Sequence, residues 1–285
     1  MSEEKSFDFS FGSLSPLERR RLRFRNIPIR VVLPNLVTLL ALCMGLTAIR
    51  FAVDGRFETA VLAVMAAAVL DGLDGRLARA LKGTSRFGAE LDSLADFVDF
   101  GVAPALLLYF WALHEIKDFG WFAALAFAIA CALRLARFNV MAENPARPAW
   151  HADFFVGMPS PAGAVTALLP LYLHLSAMEL PTSKGFVVIY ILYVLLIAFL
   201  MASPIPHLSG KRVGKISRDL IIPLLFGAGV TLLLLAIYPM EVLTVLSVAY
   251  LAAIPFGLRR YNALARAEAE KPKAEDAGLA PPGAA

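Results

Sequence analysis

The stretch that decides this fold begins Leu70-Asp71-Gly72-Leu73-Asp74-Gly75-Arg76-Leu77-Ala78-Arg79 and continues as Gly88-Ala89-Glu90-Leu91-Asp92-Ser93-Leu94-Ala95-Asp96. Asp71 and Asp74 are three positions apart, so they share one face of a helix. Asp92 and Asp96 are four apart and share a face of the next helix. Because the connection is short, the two helices are predicted to run antiparallel, with both acidic pairs converging at one end.

Converging carboxylates need cations, because four negative charges together repel one another strongly. Oxygen ligands of this kind suit Mg²⁺ or Mn²⁺, and a pair of such ions is a common clamp for displacement at phosphorus. Gly75, Ala78 and Gly88 clear side-chain bulk from the predicted groove, and Arg79 can bind phosphate. Alternatively, the acids line an ion path or pair with Arg76 and Arg79.

The surrounding composition indicates a membrane protein. The chain has 285 residues, of which 59% are hydrophobic and only 18% charged, and its mean hydropathy is +0.67. A soluble domain usually has about 45–50% apolar and about 25% charged residues. The net charge of +4 could suggest nucleic acid, but the basic residues flank apolar runs, so membrane orientation explains them better and no nucleic acid is expected.

Eight apolar runs approach the roughly 20 residues that a helix needs to cross a bilayer. They lie at about 33–53, 58–79, 89–113, 119–141, 158–178, 185–204, 217–237 and 239–258. We expect an all-α, polytopic bundle of about eight spans over 31–258, with a polar and basic arm at 1–30 and a disordered tail at 259–285. Lys and Arg concentrate in alternate connections, which predicts cytoplasmic termini and an active site facing the cytoplasm at the inner membrane.

The acidic stretch resembles the signature of the CDP-alcohol phosphotransferase family, D-x2-D-G-x2-A-R-x8-G-x3-D-x3-D, at every fixed position. The resemblance implies that Asp71, Asp74 and Asp92 bind two divalent cations, Mg²⁺ or Mn²⁺. It implies that Asp96 binds metal and is also the catalytic base for the acceptor hydroxyl. It further implies that the residues facing the CDP-diacylglycerol are Asn35, Thr38, Gly75, Ala78, Arg79, Ser85 and Gly88.

Three further stretches resemble the integral-membrane phosphatidylserine synthases of that family: 94–105, Arg134-Leu135-Ala136-Arg137-Phe138-Asn139, and 157–164. The resemblance implies L-serine as the acceptor. One departure is Asp99, where those enzymes more often carry Ser or Asn. Arg134 or Arg137 could bind the serine carboxylate, although membrane anchoring explains both equally well, and Lys211 is another candidate. Asp99 could meet the ammonium group.

The expected reaction is therefore a single displacement that gives phosphatidylserine and CMP. Glycerol 3-phosphate, inositol phosphate or choline stay open as acceptors, and a cation transporter or channel is the alternative from another class. Small residues at 126–132 could pack helices within one chain or between two copies, so a homodimer also stays open.

Overall fold

The computed structural model describes residues 29–142, 154–208 and 218–269, and these are almost entirely helical. The arm at 1–28 and the acceptor candidate Lys211 lie outside the described residues. In chain order the elements are α1 (Ile29–Val53), α2 (Phe57–Ala80), α3 (Arg86–Phe97), a π-helical turn (Val98–Val102), α4 (Ala103–Trp111), a 3₁₀ turn (Leu113–Ile116), α5 (Lys117–Ala142), β1 (Phe154–Val156), α6 (Ser160–Ala167), α7 (Leu169–Leu175), α8 (Lys184–Ala202), β2 (Pro206–Leu208), α9 (Arg218–Ile237) and α10 (Pro239–Ala269).

Each predicted apolar run coincides with a helix or with two consecutive helices, and the ends agree within a few residues except at the C-terminal end of the eighth. Among the described residues, five helical segments are long and apolar enough to cross a membrane: Ile29–Val53, Arg86–Trp111, Leu113–Met141, Lys184–Ala202 and Pro239–Tyr261. The predicted class, a polytopic helical membrane bundle, is confirmed. The number of eight spans and the cytoplasmic termini stay predictions.

Two runs are less regular than the sequence suggested. The third contains the π-helical turn between α3 and α4. The fifth is divided into α6 and α7, because Pro170 has no N–H to donate to the carbonyl of Thr166 one turn earlier. The hydroxyl of Tyr193 donates to that carbonyl instead, at 2.7 Å. In addition, α10 continues as helix to Ala269, into the segment expected to be a tail.

Helices α1 and α2 form the most closely packed pair, and small residues make the approach close. The buried positions of the two helices that have such small side chains are Ala41, Gly45, Ala48, Ala52, Ala60, Ala63 and Ala67. The close packing of α1 against α2 therefore fixes the position of the C-terminal end of α2, which carries Asp71 and Asp74.

The π-helical turn directs Asp99, Phe100 and Gly101 into the interior. Asp99 lies against Gly45 of α1, where a Cβ atom would overlap the Asp99 carboxylate, so glycine is required for this approach. Single π turns inside longer helices often occur at functional sites.

The connections after α5 and after α8 meet in a small antiparallel pair of strands, β1 with β2. Both strands lie between the predicted apolar runs, and the all-α prediction did not include them. The main apolar core lies among α4 to α8 and includes Leu107, Phe127, Leu171, Tyr172 and Ile197, which are all fully buried. On the other side, α9 contacts mainly α10, and residues 221–234 of α9 are exposed.

Candidate active site

The connection between α2 and α3 brings the two acidic pairs together. Ser85 caps α3, and its Oγ accepts a hydrogen bond from the Gly88 N–H at 3.0 Å. Gly83 lies so close to α1 that a Cβ atom there would overlap the carbonyl of Arg30. The cap and this contact fix where α3 begins, and hence the direction of its acidic face.

The acidic residues converge as the spacing predicted. One carboxylate oxygen from each of Asp71, Asp74 and Asp92 lies within 4.8 Å of the other two. The carboxyl group of Asp96 is within electrostatic range of Asp71 and Asp92. Asp74 is buried, and its Oδ2 accepts a hydrogen bond from the Thr38 hydroxyl of α1 at 2.6 Å. Three helices therefore contribute to one cluster.

The cluster has the properties of a divalent-cation site. In the described part of the chain, the ion pairs within 4.0 Å are Arg50 with Asp54 and His114 with Glu115, so no Lys or Arg pairs directly with the four aspartates. The Oδ1 atom of Asp96 is buried and has no hydrogen-bond partner there. Buried carboxylates without a partner are costly, and hard cations satisfy them. The residues present thus fit the metal that the motif implies.

A cleft of about 260 Å³ opens beside this cluster. All seven residues predicted to face the CDP-diacylglycerol line it: Asn35, Thr38, Gly75, Ala78, Arg79, Ser85 and Gly88. Asp74 and Asp92 also line the cleft. The other lining residues, which were not predicted, are Pro34, Gly83, Thr84 and Ala89. Small-ligand pockets usually begin near 300 Å³, so the cleft suits a polar head rather than a whole lipid.

Two of the predicted glycines, Gly75 and Gly88, line the cleft. A Cβ atom on Gly88 would lie 2.8 Å from Asn35 Oδ1 and 3.1 Å from Ser85 Oγ. At Gly75, the nearest side-chain atom to such a Cβ is Nη1 of Arg79, at 3.5 Å. The guanidinium of Arg79 therefore lies over Gly75, at the edge of the cleft.

The acceptor candidates occupy different surroundings. Arg134 is buried on α5, within electrostatic range of Asp96 and Asp71, and its Nη1 donates to Ser160 Oγ at 2.5 Å. Arg137 Nη1 donates to the Ser203 carbonyl at 3.3 Å. Asp99 is 1% exposed, and its Oδ1 has no hydrogen-bond partner among the described residues. The structure thus brings Arg134 to the acidic cluster.

Sequence reasoning did not single out Ser160, Ser203, Ser93 or Asn139 as parts of the site. Asn139 Nδ2 donates to Ser93 Oγ at 2.9 Å, which joins the end of α5 to the helix that carries Asp92 and Asp96. Ser160 and Asn139 both lie in the stretches that resemble the phosphatidylserine synthases. Their roles depend on helix packing, which spacing along the chain does not reveal.

Comparison with known proteins agrees with this geometry. Residues 31–200 match the CDP-alcohol phosphatidyltransferase family. The chain belongs to this family. Because the members of this family are enzymes, the match argues against the alternative that the chain is a transporter or channel. Its members generally depend on divalent metal, and the aspartate cluster lies within the matched residues.

Similar proteins within the family share one printed name, CDP-diacylglycerol–serine O-phosphatidyltransferase. The chain is 39% identical to the one from Mycobacterium tuberculosis over 235 residues, which is 82% of this chain and 81% of that protein. It is 36% identical to the one from Helicobacter pylori over 220 residues, 76% and 87% of the two chains. It is 38% identical to the one from Bacillus subtilis over 138 residues, 48% and 74%.

Proposed function

We propose that this enzyme transfers the phosphatidyl group of CDP-diacylglycerol to the hydroxyl of L-serine, which gives phosphatidylserine and CMP. The observation that carries the chemistry is the convergence of Asp71, Asp74 and Asp92 beside a cleft lined by the motif residues. The choice of serine rests on the relatives named for that reaction, which share 36% to 39% identity over most of the chain.

Asp71, Asp74, Asp92 and Asp96 would hold two divalent cations, Mg²⁺ or Mn²⁺. When bound, such ions neutralise the pyrophosphate and stabilise the charge that develops on the leaving phosphate. The protein prepares this site by holding the ligands rigidly. Thr38 fixes the rotamer of Asp74 from a separate helix, and Ser85 fixes the start of the helix that carries Asp92 and Asp96.

Asp96 is the proposed general base. Its buried Oδ1 atom, which has no hydrogen-bond partner in the described part of the chain, would accept the proton of the serine hydroxyl. The serine oxygen then forms a bond to the phosphorus attached to diacylglycerol, and the bond from that phosphorus to the CMP oxygen breaks. CMP leaves with the electron pair. No covalent enzyme intermediate is needed.

Recognition of the lipid substrate falls to the cleft. Asn35, Thr38, Gly75, Ala78, Arg79, Ser85 and Gly88 would surround the CDP head while the acyl chains stay in the bilayer. The Arg79 guanidinium offers several N–H donors in one plane, the geometry that matches phosphate oxygens. The glycines let the phosphates approach the backbone.

Recognition of serine would fall to the other side of the cluster. Arg134 is a buried cation with most of its N–H donors unused by Ser160, so it can bind the serine carboxylate near Asp96, with Arg137 or Lys211 assisting. Asp99 is the proposed contact of the ammonium group. We place the cleft on the cytoplasmic face of the inner membrane because of the distribution of Lys and Arg, and a homodimer is compatible with the exposed helices.

The test is to supply single radiolabelled acceptors to the purified enzyme with CDP-diacylglycerol and Mn²⁺. We expect labelled lipid with L-serine and little with glycerol 3-phosphate, inositol phosphate or choline. Labelled lipid with one of these and not with serine would reject the serine assignment while keeping the chemistry. CMP release with no acceptor dependence would reject the transfer itself.

A further inference from the structure

The two connections that follow α5 and α8 are bound to each other by main-chain hydrogen bonds. We call residues 154–160 together with 200–208 the clasp. Its strands pair with Val156 opposite Pro206. Beyond the strands, the N–H of Gly157 donates to the Ile205 carbonyl at 2.9 Å, and the N–H of Met158 donates to the Leu200 carbonyl at 3.2 Å. The clasp therefore holds the start of α6 against the end of α8.

Gly157 occupies the tightest point of the clasp. Its φ angle of +80° lies in the left-handed region that side chains disfavour. A Cβ atom there would lie 2.6 Å from the Met201 carbonyl oxygen and 2.9 Å from the Ser203 carbonyl oxygen. These neighbours are backbone atoms, so they cannot rotate away as a flexible side chain would. Any other residue must displace the chain at the end of α8.

Both arginines of the acceptor side are anchored on the clasp. Arg137 donates to the carbonyl of Ser203, the same oxygen that a side chain at position 157 would meet. Arg134 donates to Ser160, the last residue of the clasp and the first of α6. In the hydrogen bonds between described residues, each anchor uses one N–H of a group that has five, and the other N–H groups can bind an anion.

We propose that Gly157 is a positioning residue for the acceptor: it sets the clasp, and the clasp sets the two guanidinium groups. This inference rests on the proposed function. The nucleotide cleft is built from α1, α2 and α3 and receives no residue from the clasp. A displaced clasp therefore weakens acceptor binding selectively and leaves the lipid substrate bound as before.

The experiment measures separate KM values for L-serine and CDP-diacylglycerol in purified Gly157→Ala. We expect the serine KM to rise about tenfold, the size of effect that follows when hydrogen bonds to a charged group are disturbed. The CDP-diacylglycerol KM and the kcat at saturating serine should stay within about twofold of wild type. Gly185→Ala is the matched control, because nothing lies within 4 Å of a Cβ atom there.

Ser203→Ala provides a milder second variant. It removes the Oγ contacts with the Leu200 carbonyl at 2.9 Å and the Ile205 N–H at 3.4 Å but keeps the carbonyl that anchors Arg137. We expect a smaller rise in serine KM in the same direction. If Gly157→Ala does not fold, this variant decides, and an unchanged serine KM overturns the proposal.

Equal increases in both KM values, or a loss of kcat alone, would also overturn the proposal, since a merely structural role for Gly157 predicts those results. The proposed function is judged separately on the wild-type enzyme. If wild type transfers phosphatidyl to a different acceptor, the serine assignment fails, and the same variants are measured with the acceptor that it does use.

Discussion

Asp96 combines two properties that rarely coexist in one side chain. It lies one helical turn after Asp92 and within electrostatic range of Asp71, yet one of its oxygens is buried without a hydrogen-bond partner among the described residues. In the proposed mechanism this oxygen accepts the proton of the acceptor hydroxyl.

Replacing Asp96 with asparagine keeps the shape of the side chain but removes its ability to accept a proton. We expect Asp96→Asn to abolish CMP release and to leave CDP-diacylglycerol binding measurable, since Asp96 does not line the cleft. CMP release and equilibrium binding are measured on the same preparation. Asp118→Asn, an exposed position in the first turn of α5, is the control. Full activity in Asp96→Asn would reject the base assignment.

Thr38 donates one hydrogen bond to Asp74, and two variants test the contribution of this bond. Thr38→Val removes the donor to Asp74 while keeping the side-chain volume, and Thr38→Ser keeps the donor. A hydrogen bond to a charged group is worth about 1.5–3 kcal/mol, which corresponds to about 10- to 100-fold. We expect kcat/KM to fall by at least about tenfold in Thr38→Val and much less in Thr38→Ser. Equal activities would show that the bond does not position Asp74.

At the scale of elements, the site depends on how α1, α2 and α3 approach one another. The α1 and α2 pair is fixed by small residues, and α3 is fixed by its cap and by the approach of Gly88 to Asn35. A side chain added at Gly88 would have to displace the side chains of Asn35 and Ser85. The cleft that lies between the helices then changes shape.

Gly88→Ala tests this dependence. The added methyl group would lie 2.8 Å from Asn35 Oδ1, and overpacking of this kind costs about 1–3 kcal/mol. We expect the KM for CDP-diacylglycerol to rise by roughly fivefold or more. Gly72→Ala in α2 is the matched control, because a Cβ atom there meets nothing within 4 Å. A response of Gly72→Ala as large as that of Gly88→Ala would contradict the steric explanation.

The acidic cluster could be predicted from sequence because its aspartates lie on two consecutive helices at motif spacing, and the cleft residues because they match the motifs of the family. The π-helical turn and the anchoring of Arg134 on Ser160 could not. The anchoring joins side chains of two different helices, whereas the division at Pro170 follows from a proline that the sequence itself shows. Hydrophobic periodicity reports only which residues face an apolar surrounding, not which partner they meet.

At the scale of the whole molecule, the prediction to be tested is the orientation of the helices in the bilayer. The connection between α2 and α3 lies beside the cleft, whereas the connection between α4 and α5 lies at the opposite end of the third predicted span. The distribution of Lys and Arg predicts that the first connection faces the cytoplasm and the second faces outward.

Cysteine labelling in intact cells distinguishes the two faces. Cys43 is exposed and is first replaced, while Cys131 is buried and can stay. We expect Asp118→Cys to react with a membrane-impermeant maleimide added outside, and Lys82→Cys to react only after the membrane is permeabilised. The opposite pattern would place the cleft on the outer face and reverse the predicted topology.

The close contact between Gly83 and the Arg30 carbonyl has a consequence for how fast the enzyme meets its substrate. It holds Arg30, which is exposed at the beginning of α1, next to the loop that carries Lys82. This loop adjoins the cleft that Arg79 lines. We expect these cations to attract a lipid with an anionic head group as it diffuses within the leaflet. Lateral capture would then slow as ionic strength rises, even where the affinity of the filled cleft changes little.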